Sequence, residues 1–248
     1  MRENKYNDPI FFQKYSRMLR SQKGLAGAGE WESLRPLLPN FSGQRVLDLG
    51  CGYGWHCRYA AEHGAAAVVG CDISERMLAT AREKNAHPHI EYRHIAFEDA
   101  DFPAESFDTV LCSLMLHYLP SYEDFLQKTG RWLRPGGSLI FTVEHPVFTS
   151  QGPQDWYYGE RGEILHFPVD HYFSEGRRDA IFLGEPVVKY HRTLETYLNG
   201  LPEAGFSLLH VVEPRPTEQM LREIPDMADE LRRPMMLIVS ARKLPTDH

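Results

Sequence analysis

The stretch that most constrains this chain is Arg45-Val46-Leu47-Asp48-Leu49-Gly50-Cys51-Gly52-Tyr53-Gly54. Val46, Leu47 and Leu49 form a short apolar run with one acid embedded in it, and the run breaks into alternating glycines. That pattern predicts a buried parallel strand entering a tight turn, with a helix starting near Trp55. Glycine reaches backbone conformations closed to other residues, and without a Cβ it lets a ligand approach the main chain. The helix beyond the turn offers unpaired N–H groups at its positive end. Such a turn is a cradle for a ligand.

The kind of ligand follows from what surrounds the glycines. A dinucleotide fingerprint carries a third small residue where the helix packs on the strand beneath a pyrophosphate; here that position is Trp55. Asp48 sits on the strand itself, where a carboxylate repels a pyrophosphate but suits a cation such as an α-amino or sulfonium group. The Asp-x-Gly-x-Gly-x-Gly arrangement resembles the first motif of the class I S-adenosylmethionine (SAM)-dependent methyltransferases. A second apolar run, Ala67 to Cys71, ends in Asp72, and Ser74 is placed to cap a helix over Glu75–Lys84. A carboxylate at Asp72 can accept both hydrogen bonds of a ribose diol, with Ile73 against the adenine face.

The resemblance continues through the next strands. After a third strand, Ile90–Ile95, relatives place an acid and a small residue; this chain has Ala96 and Phe97 instead. The Phe97 N–H and the Glu98 carboxylate are then the groups expected to read the adenine edge, while Asp99 and Asp101 read as an exposed acidic turn. A fourth strand, Phe107–Ser113, leads into His117 and Tyr118. Ser113 is expected at the methionine end of the cofactor, and His117 and Tyr118 beside the transferring methyl. The Arg134-Pro135-Gly136-Gly137 turn and a fifth strand, Ser138–Val143, match another element of these enzymes. His145 follows as a base or orienting group, or as a strand-end histidine held before a proline.

What the resemblance implies is an α/β fold: a Rossmann-like seven-stranded sheet ordered 3-2-1-4-5-7-6, strand 7 antiparallel, with helices on both faces. The implied cofactor is SAM, leaving as S-adenosylhomocysteine, with no metal expected. Its binding residues would be Asp48, Gly50, Cys51, Gly52, Asp72, Ile73, Phe97, Glu98 and Ser113. Active-site candidates are His117, Tyr118 and His145.

The chain reads as one methyltransferase domain, 1–248. Residues 1–40 form an N-terminal helical cap, with one helix over Asp8–Ser21 and another over Trp31–Leu38. That cap either closes the sheet edge or forms a lid that brings Tyr15 and Arg20 to the cofactor or substrate. The SAM-binding core spans 41–145. An aromatic-rich insertion, 146–190, holds Trp156, Tyr157, Tyr158 and Phe167 and reads as a substrate cover with short strands at Ala180–Leu183 and Val187–His191; a homodimer contact is the alternative. Residues 191–248 complete the sheet, with a helix over Leu194–Ala204 and strands at Ser207–Val212 and Met235–Ala241.

Composition sets the partners. With 27 basic against 34 acidic residues and a formal charge of −7, the chain has no broad attraction for nucleic acid or anionic membrane. The opening residues lack the apolar run of a signal peptide. Cys51, Cys57, Cys71 and Cys112 match no zinc spacing and read as buried reduced thiols, which points to the cytoplasm. The function expected is methyl transfer to a small organic acceptor. Three alternatives stand beside it. Methylation of a tRNA wobble uridine predicts tRNA binding at physiological salt. A non-catalytic SAM-binding protein predicts binding without turnover. A nicotinamide oxidoreductase, disfavoured by Trp55, predicts a cofactor-dependent absorbance change.

Overall fold

The structure, a computed structural model, describes residues 4–245. Residues 1–3, read above as free of an apolar leader, lie outside it. Strand β1 (Arg45–Leu49) is buried from Val46 onward because the sheet is covered on both faces, the setting that favours continuous apolar runs in parallel strands. Leu47 and Leu49 face a core that holds Phe97, Phe125, Trp132 and Phe141. Val46 faces the other, among Cys57, Ala60, Leu78 and Leu111.

Alternating helices and strands build the sheet outward from β1. Helix α4 (Trp55–Glu62) returns to β2 (Ala67–Asp72), and α5 (Glu75–Lys84) to β3 (Ile90–His94). Ser74 caps α5, accepting from the Met77 N–H at 3.3 Å. On the other side lie β4 (Phe107–Ser113), α6 (Tyr122–Trp132) and β5 (Leu133–Glu144). Strand β5 begins five residues before the expected Ser138, because Pro135-Gly136-Gly137 loops out between the Phe107–Leu133 and Thr109–Ser138 pairs without ending the strand.

The cap departs from expectation. Its first helix is two, α1 (Pro9–Tyr15) and α2 (Leu19–Lys23). Met18 is extended (ψ 148°), and hydroxyls at the break compete for helical carbonyls: Ser16 donates to Gln13 O and Ser21 to Tyr15 O. The next, α3 (Trp31–Leu34), tightens into a 3-10 turn over Arg35–Leu37 at Pro36.

The insertion holds a short helix, α7 (Pro146–Thr149), a small ladder of β6 (Tyr157–Tyr158) and β7 (Ile164–His166), and a hairpin of β8 (Gly176–Phe182) and β9 (Glu185–His191). The two expected strands are thus present and longer. The hairpin turns at Leu183 and Gly184, both with positive φ (55° and 74°), as a two-residue loop between twisted strands requires. It packs on the cap, where Phe11 is buried against Ala180 and Val187 and Lys14 pairs with Glu185 at 2.7 Å. The rest of the insertion closes on Arg233, whose guanidinium lies 4.7–4.8 Å from the ring centres of Phe148, Trp156 and Phe167. Helix α8 (Leu194–Glu203), β10 (Phe206–Val212), α9 (Glu218–Glu223) and β11 (Met236–Lys243) complete the chain.

The sheet order is β3-β2-β1-β4-β5-β11-β10, with β11 antiparallel to both neighbours. This is the expected 3-2-1-4-5-7-6 order, renumbered because the insertion contributes four strands. Among the described residues no helix is long and apolar enough to cross a membrane.

Candidate active site

The glycine turn after β1 is built by exclusion. Gly50 has φ +68°, and a Cβ there would lie 2.5 Å from Met115 Cγ. Gly54 has φ +77°, and a Cβ there would meet the Tyr92 hydroxyl at 2.2 Å. No other residue closes the turn so tightly. Asp72, at the end of β2, is fixed against it: Oδ2 accepts from Gly52 N at 2.9 Å and Oδ1 from Ser74 N at 2.8 Å. Each oxygen keeps a further lone pair for a ligand. Trp55, where a dinucleotide site has its third small residue, instead packs on Gly24 of the cap; a Cβ on Gly24 would come within 2.9 Å of the indole.

Above this turn opens a cavity of about 470 Å³. One end runs past Gly50, Gly52, Asp72 and Ile73 to Ile95, Phe97 and Glu98. Lys128 holds that far turn, donating to Glu98 O at 2.7 Å, while the Phe97 ring packs in the core on Phe125 and Trp132. Ser113 lies on the wall with its hydroxyl 3.0 Å from that of Thr142. Tyr15 and Arg20 of the cap face the cavity too. Arg20 is gripped there by both oxygens of Glu30, each at 2.6 Å. Seven of the chain's eight methionines line the walls, Met18 through Met236, giving a soft, adaptable apolar surface.

Three of the sequence candidates lie off the wall. Asp48 points beneath the turn, fully buried, where the Cys57 thiol donates to it at 3.2 Å and Oδ1 has no partner. Burial pushes its carboxyl up to about 7. Cys51 is also behind the turn, its N–H donating to Cys71 O. His145 caps α7, Nδ1 accepting from Val147 N at 3.0 Å, with Nε2 2.9 Å from a Glu213 oxygen.

His117 and Tyr118 come together at the opposite end, on a turn that Arg192 pins by donating to Leu116 O and Leu119 O. Tyr118 and Tyr6 approach hydroxyl to hydroxyl at 3.1 Å. Next to them stands Glu144, the last residue of β5. Its Oε1 accepts from Lys189 Nζ at 2.6 Å and its Oε2 from Gln154 Nε2 at 2.7 Å. Burial pushes the Glu144 carboxyl up, but the proximity of His117, the charge of Lys189 and those hydrogen bonds outweigh it and leave the group below its usual value. Burial pushes His117 down to about 4, against the opposing pull of Glu144, so the ring is neutral near pH 7.

Residues 47–141 match the family model described as a methyltransferase domain. A solved SAM-dependent methyltransferase from Mesorhizobium loti is 42% identical, with a TM-score of 0.82 over 89% of this chain and 100% of that one. A structure from Listeria monocytogenes assigned to the same class is 51% identical, with a TM-score of 0.85 over 90% of this chain and 100% of that one. The chain belongs to the SAM-dependent methyltransferases. A ubiquinone biosynthesis O-methyltransferase of Neisseria meningitidis is 33% identical over 158 residues, 58% of this chain and 66% of that protein.

The residues of this methyltransferase fit the family's cofactor on their own chemistry. Asp72 is a fixed acceptor facing an apolar slot, and the turn beside it has no room for a side chain at Gly50 or Gly54. Sequence reasoning missed Glu144, Lys189, Gln154 and Tyr6 as parts of the site. One signal was available. Val187, Lys189 and His191 alternate along β9 and are all buried, so a lysine occupies an inward position where an apolar residue belongs.

Proposed function

We propose that this methyltransferase acts on a small organic acceptor, held with its nucleophilic group at the His117–Tyr118–Glu144 end of the cavity. The observation that carries the reading is the single cavity joining that end to the Gly50–Asp72 cradle. Its methionine-rich wall suits an apolar acceptor body, and the ubiquinone-pathway relative acts in the synthesis of one such molecule. When bound, SAM supplies a methyl group already activated by its sulfonium. Asp72 would hold the ribose, with Ile73 and the Phe97–Glu98 turn against the adenine. The backbone at Gly50, Gly52 and Ser113 would hold the methionine portion, and Arg20 with Tyr15 would close over it from the cap. The remaining work of the protein is to exclude water and hold the acceptor in line, which is catalysis by proximity and orientation.

Calorimetric titration tests the cofactor half. The protein should bind SAM and S-adenosylhomocysteine saturably and show no heat with NAD. Gly50→Val should weaken both at least about tenfold, since its side chain collides with Met115 at a left-handed backbone position. Binding of NAD alone, or of none of the three, would overturn the reading. Transfer of labelled methyl from SAM across a panel of metabolites tests the acceptor half.

A further inference from the structure

Glu144 is presented to the cavity with unusual care. Lys189, only 2% exposed, donates both to Glu144 Oε1 at 2.6 Å and to Gln154 Oε1 at 2.7 Å. Gln154 completes the ring by donating to Glu144 Oε2, from a backbone held at φ +56°. A non-glycine residue is strained in that conformation and persists there where its surroundings enforce it. The insertion therefore contributes a lysine and a glutamine whose polar ends hold one carboxylate.

Across from that carboxylate is His117. The Glu144 N–H approaches His117 Nδ1 at 3.4 Å. In a neutral ring whose Nδ1 accepts, the proton belongs to Nε2. His117 is thus a donor toward the cavity and cannot serve as a base there. His117 Nε2 lies 4.0 Å from Glu144 Oε1, too far for a hydrogen bond. One oxygen within about 2.8 Å of both atoms would bridge them, accepting from the ring and donating to the carboxylate. An ether or carbonyl cannot donate, an ammonium cannot accept, a neutral arylamine accepts poorly because its lone pair is shared with the ring, and a thiol does both weakly.

We propose that Glu144 and His117 recognise a hydroxyl group on the acceptor, and that Glu144 takes its proton as the methyl is transferred. The proposal rests on the methyl-transfer reading above and narrows it to O-methylation. A bond forms between the hydroxyl oxygen and the methyl carbon. The carbon–sulfur bond breaks with its electron pair left on sulfur, and the O–H proton passes to the Glu144 carboxylate and then to water as product leaves. Lys189 and Gln154 are positioning residues that keep the carboxylate ionised and aimed.

The test uses the full-length protein and naphthalene probes. With S-adenosylhomocysteine saturating, 1-naphthol should bind at least about tenfold more tightly than 1-methoxynaphthalene, the cost of an unmade hydrogen bond to a charged group. With SAM, 1-naphthol should be methylated on oxygen, and 1-naphthylamine and 1-naphthalenethiol should not react. Glu144→Gln paired with Lys189→Met removes both charges together and so leaves no orphaned ion. That double variant should lose about a hundredfold or more in kcat on 1-naphthol with unchanged affinity for S-adenosylhomocysteine. His117→Phe should weaken binding of both probes while keeping the preference for hydroxyl over methoxy, which donation to Glu144 still supplies, and should likewise keep the affinity for S-adenosylhomocysteine. If the wild-type protein fails to bind S-adenosylhomocysteine, the methyl-transfer reading falls and takes this proposal with it. Four results overturn the proposal alone: equal binding of the two probes (water fills the gap), preferred transfer to nitrogen or sulfur, no transfer to naphthol by protein that binds SAM, or full turnover by the double variant.

Discussion

Along a strand, one residue decides which face a side chain sees. On β1, Leu47 and Leu49 look toward the large core and Leu49 reaches the cavity, so Asp48 looks the other way, under α4. The sequence shows an acid at the motif but not the direction in which it points, because β1 is buried on both faces and carries no polar-apolar alternation to read. The buried carboxyl has a consequence for stability. Burial raises Asp48 from 3.8 to about 7 in the folded chain, so between those values the folded state holds a proton that the unfolded state has lost. Stability therefore falls as pH rises through that window and stays low above it, by an amount on the order of a few kcal/mol. Asp48→Asn should flatten this dependence, losing less melting temperature between pH 5 and pH 8 than the parent. Thermal melts of the ligand-free protein at both values check it, and parallel curves for the two proteins would clear Asp48 of the effect.

Among the elements, the central strands were legible because apolar runs of this length, bounded by glycine, proline and acids, have few other uses. Strand β4 and helix α5 have the expected bounds, Phe107–Ser113 and Glu75–Lys84. The cap was legible in kind but not in detail. Its break at Ser16–Met18 depends on the Ser16 and Ser21 hydroxyls finding carbonyls, a choice that apolar spacing does not record. The Glu144–Lys189–Gln154 ring was hidden for another reason: its members lie 10 and 45 residues from Glu144 along the chain, and pairing at that range is a property of the fold. The cap and the β8–β9 hairpin depend on each other through Phe11, Ala180 and Val187. Phe11→Ala should cost about 3–5 kcal/mol locally. Hydrogen exchange should quicken in α1 and the hairpin together and leave β1, β4 and β5 protected; faster exchange throughout the sheet would show that the cap is part of the main cooperative unit.

At the scale of the molecule, the cavity draws its walls from both ends of the described chain: Tyr6, Tyr15 and Arg20 on one side, Met220, Met227 and Met236 on the other. A ligand that touches both should tie them down at once. Saturating S-adenosylhomocysteine is expected to slow trypsin cleavage in the cap, as at Lys23, and around α9, as at Arg222, by a similar factor. Protection of the cap alone would assign the α9 segment to the acceptor, and mass spectrometry of the first fragments distinguishes the two. The same arrangement bears on how the protein is made. A ribosome delivers the glycine cradle first, while β11, which inserts between β5 and β10 and brings Met236 to the wall, emerges nearly two hundred residues later. Until then the nascent sheet carries an open edge and an unroofed, methionine-lined hollow, both of them sticky surfaces. For this chain the arrival of β11 is the step that closes both surfaces, and a product stalled before it would be the form that chaperones hold.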